Sequence, residues 1–355
     1  MNILIDLQHP AHLHFFRNLG HRLVAEGHRV LFTGRDKDIL VELGNLYGID
    51  IEVFGVARKG LVNLGRELIY RQAKLVPIIR RFRPDVMMAI AGTFVSSLGM
   101  ALRIPTYVFY DTEHAWASNA LAYPFATCIY VPQCYLGKIR FRHERYPGYH
   151  ELAYLHPSYF TPDPHVLAEA GIEEGEPFTV VRFVAWGAAH DIGKRRLTSA
   201  EKISAVERLG AHSRVVISGE GGLPPEFEPH RVRVAVHRIH HLMHYASLIF
   251  GESGTMPSEA AVMGVPSVYV NPLRLGYLEE QERDYGLVSC YRPEQFDDAI
   301  ERGVSVLRDY DREHWRGQGR RLIADKIDVT DMLFRIATER PHWRGGGSQL
   351  KHRSG

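Results

Sequence analysis

The sequence predicts an α/β protein made of two Rossmann-like, doubly wound parallel-sheet domains facing each other across a cleft. Short apolar runs alternate with segments of helical periodicity through the first hundred or so residues, and the same alternation restarts at residue 178. Strands alternating with helices imply right-handed crossovers and parallel sheets. Between the two halves, residues 132–175 break the rhythm with Pro132, Pro147, Pro157, Pro162 and Pro164 among glycines and aromatics. That composition reads as a return segment and linker. A chain of 355 residues is long enough for two such domains.

In the first half, residues 2–7 read as a strand, 13–26 as a helix and 28–33 as a strand. Residues 38–47 follow as a helix, 50–54 as a strand, and 64–82 as a long helix kinked at Pro77. Residues 86–91 and 106–110 are strands flanking a helix over 94–102. In the second half, strands are predicted over 178–183, 214–218, 232–236, 248–250 and 267–270. Helices are predicted over 199–209, 239–246, 257–263 and within 293–308 and 312–336. The implied division is a first domain over 1–160, a linker over 161–177 and a second domain over 178–320. A C-terminal helix over 321–340 packs back on the first domain, and a disordered tail covers 341–355.

Composition narrows the function. Hydrophobic residues make up 45% and charged residues 24% of the chain, which is ordinary for a globular protein. A net charge of +2 argues against a nucleic-acid partner. Three cysteines, Cys128, Cys134 and Cys290, give neither a disulfide framework nor paired metal spacing, which suits a reducing cytoplasm. No secretory signal or membrane-spanning apolar run is apparent, so membrane contact is expected only at the periphery, on an inner membrane face.

The most informative stretch is residues 247–270. It has the pattern of a strand, a small-residue loop, a short helix, a Gly break at Gly264 and a second strand. The loop Gly251-Glu252-Ser253-Gly254-Thr255 has little side-chain bulk, so its backbone can approach a ligand closely. It opens into a helix beginning near Met256, where N–H groups and the dipole favour an anion such as a phosphate. Glu259, early in that helix, is placed to accept hydrogen bonds from hydroxyl groups.

Other loops at strand ends carry titratable groups. Gln8-His9-Pro10-Ala11-His12 follows the first strand, where His9 or His12 could act as a base or as an anion-binding donor. Helix capping is the plainer alternative. Asp111-Thr112-Glu113-His114 follows the fifth strand and could pair a base with its orienter, or cap the next helix. Arg182, His190 and Lys194 follow the first strand of the second half. That segment fails as a P-loop, because five residues separate Gly187 from Gly193 and Arg195 replaces Ser/Thr. Ser218-Gly219 opens a second small-residue loop, and His240 belongs to a histidine-rich helix start without the arrangement of a zinc helix. The Asp36-Lys37-Asp38 motif reads as helix capping, and no metal site is predicted. Residues 66–83 place Arg66, Arg71, Lys74, Arg80, Arg81 and Arg83 among apolar residues at helical spacing, a core-facing helix whose basic face could touch anionic lipid or a lipid-linked acceptor.

With these residues in place, the chain resembles domain of unknown function family 354. The segments that carry the resemblance are residues 5–12, 111–114, 148–157, 181–186 with His190-Asp191, and 251–256. The stretch from Gly251 to Pro266 is similar to the nucleotide-sugar signature of the GT-B superfamily, which includes the peptidoglycan N-acetylglucosaminyltransferase and the UDP-N-acetylglucosamine 2-epimerases. The resemblance implies a GT-B fold and a glycosyltransferase using a nucleotide sugar, a UDP-sugar by analogy, without metal or cofactor. It also implies that the Gly251–Thr255 loop holds the diphosphate and Glu259 the ribose. His9, His12, Asp111, Glu113 and His190 are then the catalytic candidates. Arg182, Lys194, Ser218, Gly219, His240, Gly251, Glu252, Ser253, Gly254, Thr255, Met256 and Glu259 are the donor-binding candidates. A glycan or lipid-linked acceptor and a homodimeric assembly are compatible with it. A 2-epimerase and a non-catalytic nucleotide-sugar binder are the alternatives. The epimerase pattern after the loop is altered here, to Ser258-Glu259-Ala260-Ala261, with Asn271 ending the next strand.

Overall fold

The computed structural model describes residues 1–36, 39–56, 61–113, 116–183, 195–219 and 223–339. The first half runs β1 (Asn2–Leu7), α1 (Pro10–Ala25), β2 (Arg29–Asp36), α2 (Leu40–Leu46), β3 (Ile51–Val56), α3 (Leu61–Phe82), β4 (Val86–Ile90), α4 (Ser96–Leu102) and β5 (Thr106–Phe109). It continues through α5 (Trp116–Ala122), β6 (Cys128–Pro132), β7 (His143–Tyr146), α6 (Leu152–Leu155) and α7 (His165–Glu169). The second half runs β8 (Phe178–Arg182), α8 (Ser199–Gly210), β9 (Arg214–Ile217), α9 (Ile239–Tyr245), β10 (Leu248–Gly251), α10 (Thr255–Val262) and β11 (Ser267–Val270). It ends with α11 (Gly276–Tyr285), β12 (Val288–Tyr291), α12 (Phe296–Arg308), α13 (Arg312–Ala324) and α14 (Val329–Glu339).

These strands form two wholly parallel sheets. The first has the order β3-β2-β1-β4-β5-β6-β7 and the second β12-β11-β10-β8-β9. Each reverses direction once, between β1 and β4 and between β8 and β10. In open sheets of this kind the crevice at such a switch point is where ligands bind.

Burial on both faces explains the near-continuous apolar strands. Ile3, Ile5 and Leu7 of β1 join the core beneath α1, whereas Leu4 packs on the other face with Leu75, Ile78, Ile79 and Phe82 of α3. In β10, Ile249 faces one core, and Leu248 and Phe250 the other. One apolar cluster joins the two halves, running from Leu13 and Leu19 of α1 through Leu155 and Leu333 to Met256 and Ala260 of α10. Helix α14 lies on α1 and α6. There Thr330 Oγ1 donates to the Ala153 carbonyl at 2.9 Å, and Arg22 pairs with Asp331 at 3.1 Å.

Several elements differ from the sequence reading. Helix α1 starts three residues early, because Pro10 fits the first helical position and His9 Nδ1 caps it by accepting from Ala11 N–H. Helix α3 starts at Leu61, three residues early, and runs as one helix past Pro77 to Phe82. The predicted strand at 232–236 is absent. The segment touches β9 only through an Ile217–Arg231 bridge and a Val232 N–H to Ile217 O bond, then turns into a 3₁₀ helix at Val236. Strands β6, β7 and β12 and helix α11 were not anticipated. β6 and β7 fall at or inside the segment read as a return stretch. β7 (His143-Glu-Arg-Tyr) is a mostly exposed, charged edge strand with no apolar alternation to read.

Candidate functional site

A cavity of about 340 Å³ lies where the two sheets' switch points meet. The first half contributes Gln8, His9, His12, Arg35, Asp111, His150, Glu151 and Tyr154, and the second contributes Thr255 and Tyr277. Ile90 and Ala91, at the end of β4, also line it, with Ala11, Tyr110 and Thr112. Ala91 has a left-handed backbone, φ 63°, a conformation costing about 1–2 kcal/mol for a residue with a side chain, and its N–H is held by Phe109 O at 3.1 Å. A larger cavity of about 420 Å³ opens beyond β11 and β12, but it contains none of the switch-point loops and its Arg274 and Glu279 pair with each other.

The histidines facing the main cavity differ in which nitrogen is free. Gln8 N–H donates to His12 Nδ1 at 3.2 Å. Nδ1 is therefore unprotonated, and the neutral ring carries its proton on Nε2. Desolvation, followed by the neighbouring His9 and His150, holds the His12 pKa well below the ordinary imidazole value, so the ring is neutral at neutral pH. His9 accepts a backbone N–H through Nδ1 in the same way. His12 therefore meets the cavity as an N–H donor without a free lone pair and does not fit the role of base, and Nδ1 of His9 is likewise engaged by the backbone.

His150 is the reverse case. Its Nδ1 lies 3.1 Å from Asp111 Oδ2, so in the neutral ring Nδ1 is the donor and the lone pair falls on Nε2, which is buried and without a hydrogen-bond partner among the described residues. The residue is only 6% exposed. Asp111 is fixed in turn by Thr112, whose Oγ1 donates to Oδ1 at 2.9 Å. Burial pushes the Asp111 pKa up, but its interaction and hydrogen bond with His150, together with the Thr112 hydrogen bond, outweigh it, and the carboxyl stays below its usual range. Next to His150, Glu151 is pushed up to about 8 by burial and by the neighbouring Asp111 carboxylate. It is a carboxylic acid at neutral pH.

The other candidates divide between the cavity and its supports. Glu113 is absent from the cavity lining. Its Oε1 accepts from Leu136 N–H and from Gly276 N–H, both at 3.2 Å, so it clasps the second half to the first. Gly276 permits this approach, since a Cβ there would collide with the Cys134 carbonyl oxygen. Glu252 is 3% exposed and its carboxylate is tied to Lys202 at 3.1 Å and to Leu197 N–H at 3.3 Å. It fastens the loop from behind and is not placed to meet a diphosphate. Gly251 is required where β10 passes Arg182, whose carbonyl oxygen a Cβ would strike. Ser253 and Gly254 are partly exposed, Thr255 is exposed at the start of α10, and Met256 is buried.

Glu259 and His240 form a buried group with Tyr154. Glu259 Oε1 accepts from Tyr154 Oη at 2.8 Å and from His240 Nε2 at 2.9 Å, while the His14 ring stacks on Tyr154 at 5.3 Å. Burial raises the Glu259 pKa, but His240, Tyr154 and Arg182 together bring it below the usual range. Both hydrogen bonds end on Oε1, and Oε2 has no partner among the described residues. Arg182 ends β8, and Ser218 and Gly219 lie partly exposed after β9. His114, His190 and Lys194 lie outside the described residues.

His150, Glu151, Tyr154, Arg35 and Tyr277 line the cavity without being among the candidates the sequence offers. The first three sit in the Pro-flanked stretch read as a connection. The signal was the His-Glu pair following Pro147-Gly148.

Known proteins place this arrangement in context. A UDP-GlcNAc 2-epimerase from Neisseria meningitidis, solved with UDP-GlcNAc bound, superposes with a TM-score of 0.67 at 13% identity over 96% of this chain and 100% of that one. The glycosyltransferase VinC, solved in complex with DTDP, gives a TM-score of 0.60 at 13% identity over 96% and 100%. The two-sheet architecture is thus the GT-B fold. An uncharacterised protein of Methanocaldococcus jannaschii is 25% identical over 305 residues, 80% of this chain and 86% of that protein. The family model described as a protein of unknown function, DUF354, matches residues 1–337, and the chain belongs to that family.

Proposed function

We propose that this protein is a glycosyltransferase that moves a sugar from a nucleotide-sugar donor, a UDP-sugar in the first instance, to a hydroxyl acceptor. The observation that carries the reading is that one cavity wall holds both the start of α10 and a histidine with a free, Asp-oriented nitrogen. His150 Nε2 takes the acceptor's proton, and the acceptor oxygen attacks the anomeric carbon. The bond from that carbon to the diphosphate breaks, and the anomeric centre inverts. The proton remains on His150, where Asp111 stabilises the imidazolium. Charge developing on the leaving diphosphate is met by the N–H groups at the start of α10, with Arg182 close by, in place of a divalent cation. His12 supplies an N–H donor to the sugar or the diphosphate.

A 2-epimerase is the second reading, and Glu151 favours it. A carboxylic acid protonated at neutral pH beside an ionised Asp111 is an acid/base pair suited to elimination and re-addition of the nucleotide. Incubation with nucleotide sugars, followed by NMR, separates the two. The transferase reading expects nucleoside diphosphate to be released only when an acceptor is added. Inversion at C2, without acceptor, would replace it with the epimerase reading.

A further inference from the structure

Helix α3 carries an outward face that neither sheet uses. Ile69 is 73% exposed and Tyr70 48% exposed, although both are large and apolar. Ala73 and Pro77 continue the stripe one and two turns on, and Arg66, Lys74 and Arg80 flank it, all exposed. The spacing from 66 through 69/70, 73/74, 77 and 80 keeps these residues on one side of the helix.

The charge on this face has one sign. Glu67 is the only acidic residue in α3, and it is buried against Arg35 at 3.0 Å. Arg71, which the sequence pattern grouped with the basic face, is wholly buried and pairs with Asp6 at 2.7 Å. What remains outward is basic. Arg66, Lys74 and Arg80 have no carboxylate partner among the described residues, whereas Arg81 is held by Glu52 at 2.8 Å.

We propose that this face of α3 docks the protein on an anionic lipid bilayer. Ile69 and Tyr70 enter the boundary between headgroups and acyl chains, and Arg66, Lys74 and Arg80 sit against lipid phosphates. Charge complementarity selects the occupant: a basic ring around a protruding isoleucine matches an anionic apolar interface, whereas a nucleic acid has no use for the isoleucine. Among the described residues no helix is long and apolar enough to cross a membrane, so the attachment is peripheral. The opposite, buried side of the same helix reaches the cavity wall, where Glu67 holds Arg35.

The test is co-sedimentation of the full chain with vesicles of phosphatidylcholine alone or mixed with phosphatidylglycerol. The wild-type protein is expected to bind the mixed vesicles, to be released by high salt, and to ignore the neutral ones. Lys74→Glu/Arg80→Glu should weaken binding about tenfold or more. Ile69→Asp should weaken it as well, while Met100→Asp, on exposed α4, should bind as wild type. Circular dichroism establishes that the variants fold. No binding to mixed vesicles, equal binding to both kinds, or undiminished binding by the α3 variants would each overturn the proposal. So would binding of a DNA duplex in place of vesicles. Vesicle binding is read without any nucleotide, so its failure is separate from a failure of the glycosyltransferase reading.

Discussion

Replacing His150 by Asn is expected to lower turnover about 10²- to 10⁴-fold while leaving nucleotide binding intact. The Asn amide can still donate to Asp111, so the pocket keeps its shape and loses only the Nε2 lone pair. Asp111→Asn should fall in the same range, because an amide facing Nδ1 no longer holds the proton on that nitrogen. His12→Asn should cost less, since it removes one N–H donor and no base. If turnover survives in the His150 variant and is lost in the His12 variant, the assignment of base and donor is reversed.

The second large effect is on stability against pH. Glu151 has a folded pKa of about 8 against an ordinary value of 4.5. Between these values the folded state keeps a proton that the unfolded state has released. Stability therefore falls as pH rises through the window, by about 1.4 kcal/mol per pH unit, and levels off above pH 8. The buried His12 and His14 act in the opposite sense. Their folded pKa values are held well below 6.5, so their contribution is complete above that value and is lost as pH falls below it. The Glu151 slope is thus read most cleanly between pH 6.5 and 8. Over that interval the wild-type protein should lose about 2 kcal/mol relative to Glu151→Gln in chemical denaturation. Parallel curves for the two proteins would show that Glu151 is ionised in the folded state.

The parts of the fold that could be read from sequence are those where one physical cause dominates. β1, β4, β5, β8, β10 and β11 are apolar runs ending at glycine, proline or polar loops, and both sheets follow from their alternation with helices. The Gly251–Thr255 loop was legible because backbone approach demands small residues there. Where two causes compete, the sequence misleads. Arg71 reads as part of a basic surface, yet it lies four residues before Leu75 and seven before Ile78, on the buried side of α3. Its partner Asp6 is 65 residues away on β1, and no local pattern shows such a pairing. His9 and His12 sit in the loop where a base is expected. Only the backbone N–H groups of Gln8 and Ala11, fixed by the turn into α1, show which nitrogen carries the proton. His150 was hidden by its position among prolines that suggest a linker, and its pairing with Asp111 spans two separate loops of the first half.

The proposed reaction requires the start of α10 to hold a nucleoside diphosphate. The direct measurement is calorimetric titration of nucleoside diphosphates into the wild-type protein and Thr255→Glu. Thr255 is exposed, and an acidic residue at a helix N-terminus favours the helix, so the variant should fold. Its carboxylate would stand where the diphosphate is proposed to bind. The wild-type protein should bind at least one nucleoside diphosphate, and Thr255→Glu should bind it about tenfold more weakly or worse. Equal affinity in the two proteins, or no binding by the wild type, would contradict the proposed reaction.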